Sequence, residues 1–259
     1  MNAPDARIHA QAAVGFGRAA DAYDRGRPDY PPNAVEHLLG VLNITPDSRL
    51  VELGAGTGKF TTCLAATGAQ IIAIEPVTSM RNRLAERLPD VQVVDATAEA
   101  IPLPDRSVDA IVAAQAFHWF DAKRAIAEIH RVLRPGGSLG LIWNVRDASI
   151  PWVGKLTTIL DPYEGTVPRY RTLEWMSAFQ SGTLFGPLQT RAFPHVQRLT
   201  PSDLVDRVAS ISFIAALSDA ERFRVLGQVR ELLQTEPALR ERTQFEMPYQ
   251  THVYWCRKP

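Results

Sequence analysis

Residues 50–60, LVELGAGTGKF, constrain this chain more than any other stretch: an apolar run ending in an acid, three glycines at alternate positions, then an apolar helical segment. Leu50, Val51 and Leu53 predict a short buried strand. Gly54, Gly56 and Gly58 let the chain turn sharply and bring bare backbone against a ligand. Phe60 to Ala66 predicts a helix whose first amides face the same spot. Strand, glycine turn and helix form a cradle for a nucleoside-bearing cofactor, at the end of the strands where open α/β sheets take ligands.

The glycine spacing is G-x-G-x-G, one residue short of the dinucleotide fingerprint G-x-G-x-x-G. Glu52 separates the ligands further, because a carboxylate at the strand end repels a pyrophosphate and attracts an ammonium. S-adenosylmethionine carries that ammonium and no phosphate. In this acid, these glycines and this strand-to-helix setting the chain resembles the class I S-adenosylmethionine-dependent methyltransferases. A second acid, Glu75, ends the apolar run QIIAIE at 70–75, about 20 residues beyond the first glycines, the offset at which an acid reaches ribose hydroxyls. Glu75 also suits the start of the helix expected over Val77 to Leu88, where a carboxylate is favourable without any ligand.

The resemblance implies an α/β fold: a Rossmann-like, seven-stranded, mostly parallel sheet flanked by helices, with a helical cap over the substrate site and a last strand running antiparallel. It implies that Gly54, Ala55, Gly56 and Gly58 line the cofactor, that Thr97 and Ala98 lie beside the adenine, and that Gln115 borders the methionine part. Many relatives have Asp where this chain has Thr97. Asp95, two residues earlier, suits a turn. After the fourth strand, Asp109 to Ala114, the run QAFHWF at 115–120 occupies the position from which this fold presents groups to the transferring methyl. There His118 and Trp119 face the acceptor, with His118 as a base or as a cap on the next helix. Phe117, Trp119 and Phe120 are pocket wall or core.

The N-terminal run FGRAADAYDRGRPDYP at 16–31 looks like the lid of the methyltransferase type 11 group that includes trans-aconitate methyltransferase-like proteins. In that comparison Tyr23 and Arg27 lie over the cofactor, with Arg27 pairing its carboxylate; the alternative is an exposed arm of solvated arginines. The segment RVLRPGG at 131–137 matches a recurrent helix ending in the family. On this reading a helix over Ala122 to Leu133 stops at Pro135, Gly136 and Gly137, before a fifth strand from Ser138 to Trp143.

A 259-residue chain that is 46% hydrophobic can bury a substantial core, and one domain is the expected count. Within it, 1–45 forms the lid and first helices, 46–147 the cofactor core, 148–240 a stretch that includes the cap, and 241–259 the last strand. Trp152, Tyr163, Tyr170 and Trp175 are expected to roof an acceptor site, which favours a small, partly apolar molecule. Formal net charge is zero, so no global field draws the protein to nucleic acid or anionic lipid. Arg81, Arg83 and Arg87 suit a solvated helix face.

Cys63 and Cys256 suggest buried thiols, with neither disulfide framework nor metal site. Without a secretory signal or a run long enough to span a bilayer, the expected compartment is the cytoplasm. The activated methyl needs alignment and water exclusion more than a strong nucleophile. The rival readings are a non-catalytic module binding the same cofactor, and an NAD(P)-dependent oxidoreductase, which needs a third glycine one place later and a proton donor such as a Tyr and Lys pair.

Overall fold

The computed structural model describes residues 26–165, 170–180 and 184–259; Tyr23 lies outside them. In chain order the elements are α1 (Pro32–Val41), β1 (Arg49–Leu53), α2 (Lys59–Ala65), β2 (Gln70–Ile74), α3 (Thr78–Arg87), β3 (Gln92–Val94), β4 (Val108–Ala114) and α4 (Ala122–Val132). There follow β5 (Leu133–Arg146), α5 (Pro151–Leu160), α6 (Ser177–Gln180), β6 (Gln189–Leu199), α7 (Pro201–Ala209), α8 (Ser212–Ala215), α9 (Asp219–Thr235) and β7 (Phe245–Arg257).

The strands form one mixed seven-stranded sheet in the order β3-β2-β1-β4-β5-β7-β6, flanked by helices, as the family resemblance implies. β1 pairs in parallel with β2 on one side and β4 on the other, and β2–β3 and β4–β5 are parallel too. Both faces of these strands are covered, which is why β1, β2 and β4 read as near-continuous apolar runs rather than alternating ones. β7 instead buries Phe245, Met247, Tyr249, Thr251 and Val253 at alternate positions. The Gly136 amide donates to the Lys258 carbonyl at 3.0 Å, and the Asp147 amide to Pro248 at 3.0 Å, so β7 runs against β5. Pro194, which cannot donate to a ladder, sits in β6 at the sheet's edge.

One boundary differs from the sequence reading. The Pro135–Gly136–Gly137 run does not simply terminate a helix, because α4 stops at Val132 and β5 already begins at Leu133. Leu133 pairs with Val108 and Ser138 with Ala110, so the proline and glycines form an irregularity inside the strand. Gly136 takes φ +76°, and a Cβ on Gly137 would stand 2.9 Å from the Arg134 carbonyl, so the offset needs glycine.

The chain divides into two compact units. The larger holds residues 30–143, 170–193 where described, and 251–259; the smaller holds 26–29, 144–165 and 194–250. In the smaller unit α9 packs against α5 and α7. Both α7 and α9 start with reciprocal caps, Thr200 with Asp203 and Ser218 with Glu221, which satisfy backbone donors that the first turn leaves over. Lys155 Nζ lies 2.6 Å from Glu236 Oε2, joining α5 to the end of α9. No described helix is long and apolar enough to cross a membrane.

Candidate functional site

The glycine turn after β1 is knitted to β2. The amides of Gly54 and Ala55 both donate to the Ile74 carbonyl, at 2.8 and 3.1 Å, and Gly58 closes the turn onto the Ala55 carbonyl at 3.0 Å. Gly54 has φ +66°, and a Cβ there would stand 2.7 Å from the Ala116 Cβ, so both conformation and close approach demand glycine.

Two carboxylates flank this turn, and both are buried. Glu52, beside the tip of β1, is 1% exposed, and its Oε2 has no hydrogen-bond partner. Burial, reinforced by the neighbouring Glu75 charge, pushes its carboxyl up to about 8, while the Thr61 hydroxyl works the other way. A buried carboxylate oxygen left alone is costly, and a cationic donor is the group that would relieve it. That orphaned oxygen fits the ammonium of an amino-acid sulfonium and does not fit a diphosphate.

Glu75 has partners already. Its Oε2 accepts from the Gly56 amide and its Oε1 from the Val77 amide, each at 2.8 Å. Burial pushes the Glu75 carboxyl up to about 7, opposed by those two amides and by Arg81. A carboxylate offers about four lone-pair sites, so two amides leave capacity for a pair of hydroxyl groups.

Arg81, which the sequence reading assigned to a solvated face, is held at the end of β2 beside Glu75. Its Nη1 donates to the carbonyls of Glu75 at 2.9 Å and Pro76 at 3.1 Å, and its Nη2 lies 3.1 Å from Asp95 Oδ2. Asp95 thus serves the structure by pairing with Arg81. Arg87 Nη1 donates to the Thr57 carbonyl at 3.2 Å, so two of the three arginines tie α3 to the turns that follow β1 and β2. Further along, the Thr97 carbonyl accepts from the Ala100 amide at 3.2 Å, and Ala98 is buried.

At the exit of β4, Gln115 takes φ +57°, a conformation that favours glycine, while its amide donates to the Ile142 carbonyl at 2.9 Å. Such strain persists only where the surroundings over-determine it, and it clusters at functional sites. A 3-10 turn over Phe117–Trp119 follows. His118 Nδ1 accepts the indole N–H of Trp143 at 3.2 Å. With Nδ1 used as an acceptor, a neutral ring carries its proton on Nε2.

Trp143 is fully buried on β5, with ring centroids 4.9 Å from Tyr170 and 4.7 Å from Trp175. The Tyr170 and Tyr254 hydroxyls are 2.7 Å apart. Phe117 packs against Phe120 and Trp175, so it is core, while Trp119 and Phe120 are half-buried. Tyr170 and Trp175 belong to this block in the larger unit, and Trp152 packs on Phe245 in the smaller one. Arg27 also lies in the smaller unit, where its charge acts on Arg146.

Residues 51–141 match the pattern of a family described as Methyltransferase domain. An uncharacterized methyltransferase of Mycobacterium tuberculosis is 41% identical over 239 residues, 92% of this chain and 93% of that protein. An uncharacterized methyltransferase-like protein of Schizosaccharomyces pombe is 38% identical over 237 residues, covering 91% of this chain and 92% of its own length. Among solved structures, a candidate type II methyltransferase from Anaeromyxobacter dehalogenans superposes with a TM-score of 0.62 at 25% identity, covering 89% of this chain and 96% of that one.

Proposed function

The chain belongs to the methyltransferase family of these relatives, and from that premise we propose that it moves a methyl group from S-adenosylmethionine to a small-molecule acceptor by direct displacement. The bound cofactor supplies a methyl already activated by its sulfonium. The chain's own residues bind, orient and exclude water. Glu52 takes the ammonium, Glu75 the ribose hydroxyls, and Gly54, Ala55, Gly56 and Gly58 allow close backbone approach. Thr97 and the Ala98 amide lie at the base, Gln115 borders the methionine part, and Tyr23 and Arg27 act as lid residues.

His118 and Trp119 serve the acceptor. For His118 to take a proton at Nε2, the ring must first adopt the Nδ1–H tautomer, which breaks the bond from Trp143. In the resting geometry it is a donor, suited to orient an acceptor oxygen or nitrogen rather than to deprotonate it.

The buried, unpartnered Oε2 of Glu52 is the observation that carries this reading. Calorimetric titration with S-adenosylhomocysteine and with NAD tests it. Binding of the first alone is expected; binding of NAD, or of neither, overturns it. A protein that binds the homocysteine product but transfers no methyl from labelled cofactor to any molecule of a cell extract would be a binding module instead.

A further inference from the structure

Within the smaller unit, α7, α9 and the turn that follows α9 line a cavity of about 370 Å³ that opens to solvent. Val205 of α7, Leu233 of α9 and Leu239 of the turn give it an apolar floor. Its rim is charged and exposed, with Arg230 from α9 and Glu241 and Arg242 from the turn. Ligand sites show this division, an apolar lining with a few polar groups that fix orientation, over about 300–1,000 Å³. A cavity at the low end of that range suits a small molecule rather than a nucleotide.

The turn that carries the rim is held in place. The Glu236 carbonyl accepts from the amides of Leu239 at 2.9 Å and Arg240 at 2.8 Å, and the Leu239 carbonyl accepts from the Arg242 amide at 3.1 Å. Glu236 is itself fixed by Lys155, at 2.6 Å. Glu241 takes φ +62°, a left-handed conformation that a residue with a Cβ adopts only at a cost. Such strain persists where the surroundings over-determine it, and it gathers at ligand sites. Among the described residues, neither Arg230 nor Arg242 has a hydrogen-bond or ion-pair partner, and Glu241 has none either. Two guanidinium groups against one carboxylate leave the rim with one positive charge over.

We infer that this cavity binds a small aliphatic monocarboxylate, with its hydrocarbon chain on Val205, Leu233 and Leu239 and its carboxylate between Arg230 and Arg242. A guanidinium fork matches the two oxygens of a carboxylate, and the floor takes the chain out of water. Glu241 repels a second negative charge, which favours a monoanion over a phosphate ester or a dicarboxylate. Every residue invoked belongs to the smaller unit, and the inference does not rest on methyl transfer.

The test is calorimetric titration of the full chain with hexanoate, 1-hexanol and acetate, each with and without saturating S-adenosylhomocysteine. Hexanoate should bind with a Kd below about 1 mM in both conditions. Acetate lacks the chain and 1-hexanol lacks the charge, so each should bind at least about tenfold more weakly. Arg242→Gln, a change at an exposed position, should weaken hexanoate at least about tenfold and leave 1-hexanol as it was. Val205→Trp should fill the cavity and remove hexanoate binding; if that variant does not melt cooperatively, Arg230→Gln is measured in its place and should behave as Arg242→Gln does. No hexanoate binding up to about 20 mM, equal binding of hexanoate and 1-hexanol, or unchanged binding in Arg242→Gln overturns the proposal. So does hexanoate binding that disappears once the homocysteine compound saturates the chain, because the carboxylate would then occupy the cofactor's own site.

Discussion

Replacing Glu52 by Gln should stabilise the free protein and weaken its hold on the cofactor in one step. The Glu52 carboxyl rises from an ordinary 4.5 to about 8 in the fold, so folding favours its protonated form. A raised carboxyl pKa gives stability that is complete below the unfolded value and is lost as pH climbs through the folded one. At 1.36 kcal/mol per pH unit, the loss is about 3 kcal/mol at pH 7 and about 5 kcal/mol above pH 8. Burial is the main cause and the residue is 1% exposed, so solvent screens little of this. Glutamine has the same shape and does not titrate. Urea unfolding of both proteins from pH 5 to pH 9 should therefore show the variant gaining several kcal/mol on the wild type across that window. Glu75, also pushed up, to about 7, titrates in both proteins, and the difference between the curves largely removes it. Parallel curves would refute the buried-charge argument. The same variant should bind S-adenosylhomocysteine at least about tenfold more weakly; unchanged affinity would refute the ammonium role.

At pH 7 a carboxyl near 8 is mostly protonated, so pairing it with an ammonium should release about one proton. Calorimetry in buffers of different ionisation enthalpy counts that proton, and a binding heat independent of buffer contradicts it. Gly54→Ala combines a left-handed residue with a 2.7 Å approach to Ala116, and should cost about 2–4 kcal/mol in urea unfolding. Arg81→Met removes the donor that ties the Glu75 and Pro76 carbonyls, and should lower S-adenosylhomocysteine affinity without abolishing folding; an unchanged dissociation constant would return Arg81 to the solvated face. Trp143→Phe keeps a ring but deletes the N–H that fixes the His118 tautomer. Turnover should fall, its pH dependence should move, and homocysteine-compound affinity should hold; unaltered kinetics would remove the pair from the reaction.

The strand–glycine–helix unit was legible because it is local: sequence neighbours Glu52, Gly54 and Gly58 are also spatial neighbours, and φ requirements belong to single residues. The parallel sheet was expected from the family resemblance, and the apolar runs of β1, β2 and β4, covered on both faces, agree with it. The Pro135–Gly136–Gly137 run was misread because a helix stop and a strand irregularity use the same residues, and only the offset between Leu133 and Ser138 against β4 tells them apart. The contacts of Arg81 were missed because two of its partners are main-chain carbonyls, which carry no sequence label, and another, Asp95, lies 14 positions away beyond β3. The Trp143–His118 bond spans 25 positions, from β5 to the turn after β4, a distance that no helical or strand period reports. Trp152 and Trp175 belong to different compact units, a division that no local sequence pattern reports.

The strand that comes latest in the chain lies inside the sheet, between β5 and β6. During synthesis, β6 therefore emerges with no strand to join, and the open side of β5 stays bare until residues 245–257 leave the ribosome. The parallel strands from β1 to β4 can assemble early, whereas the closing half must wait as unpaired edge, the condition in which nascent chains recruit chaperones or stick to each other. Loss of the final fifteen residues would thus remove a keystone rather than a tail.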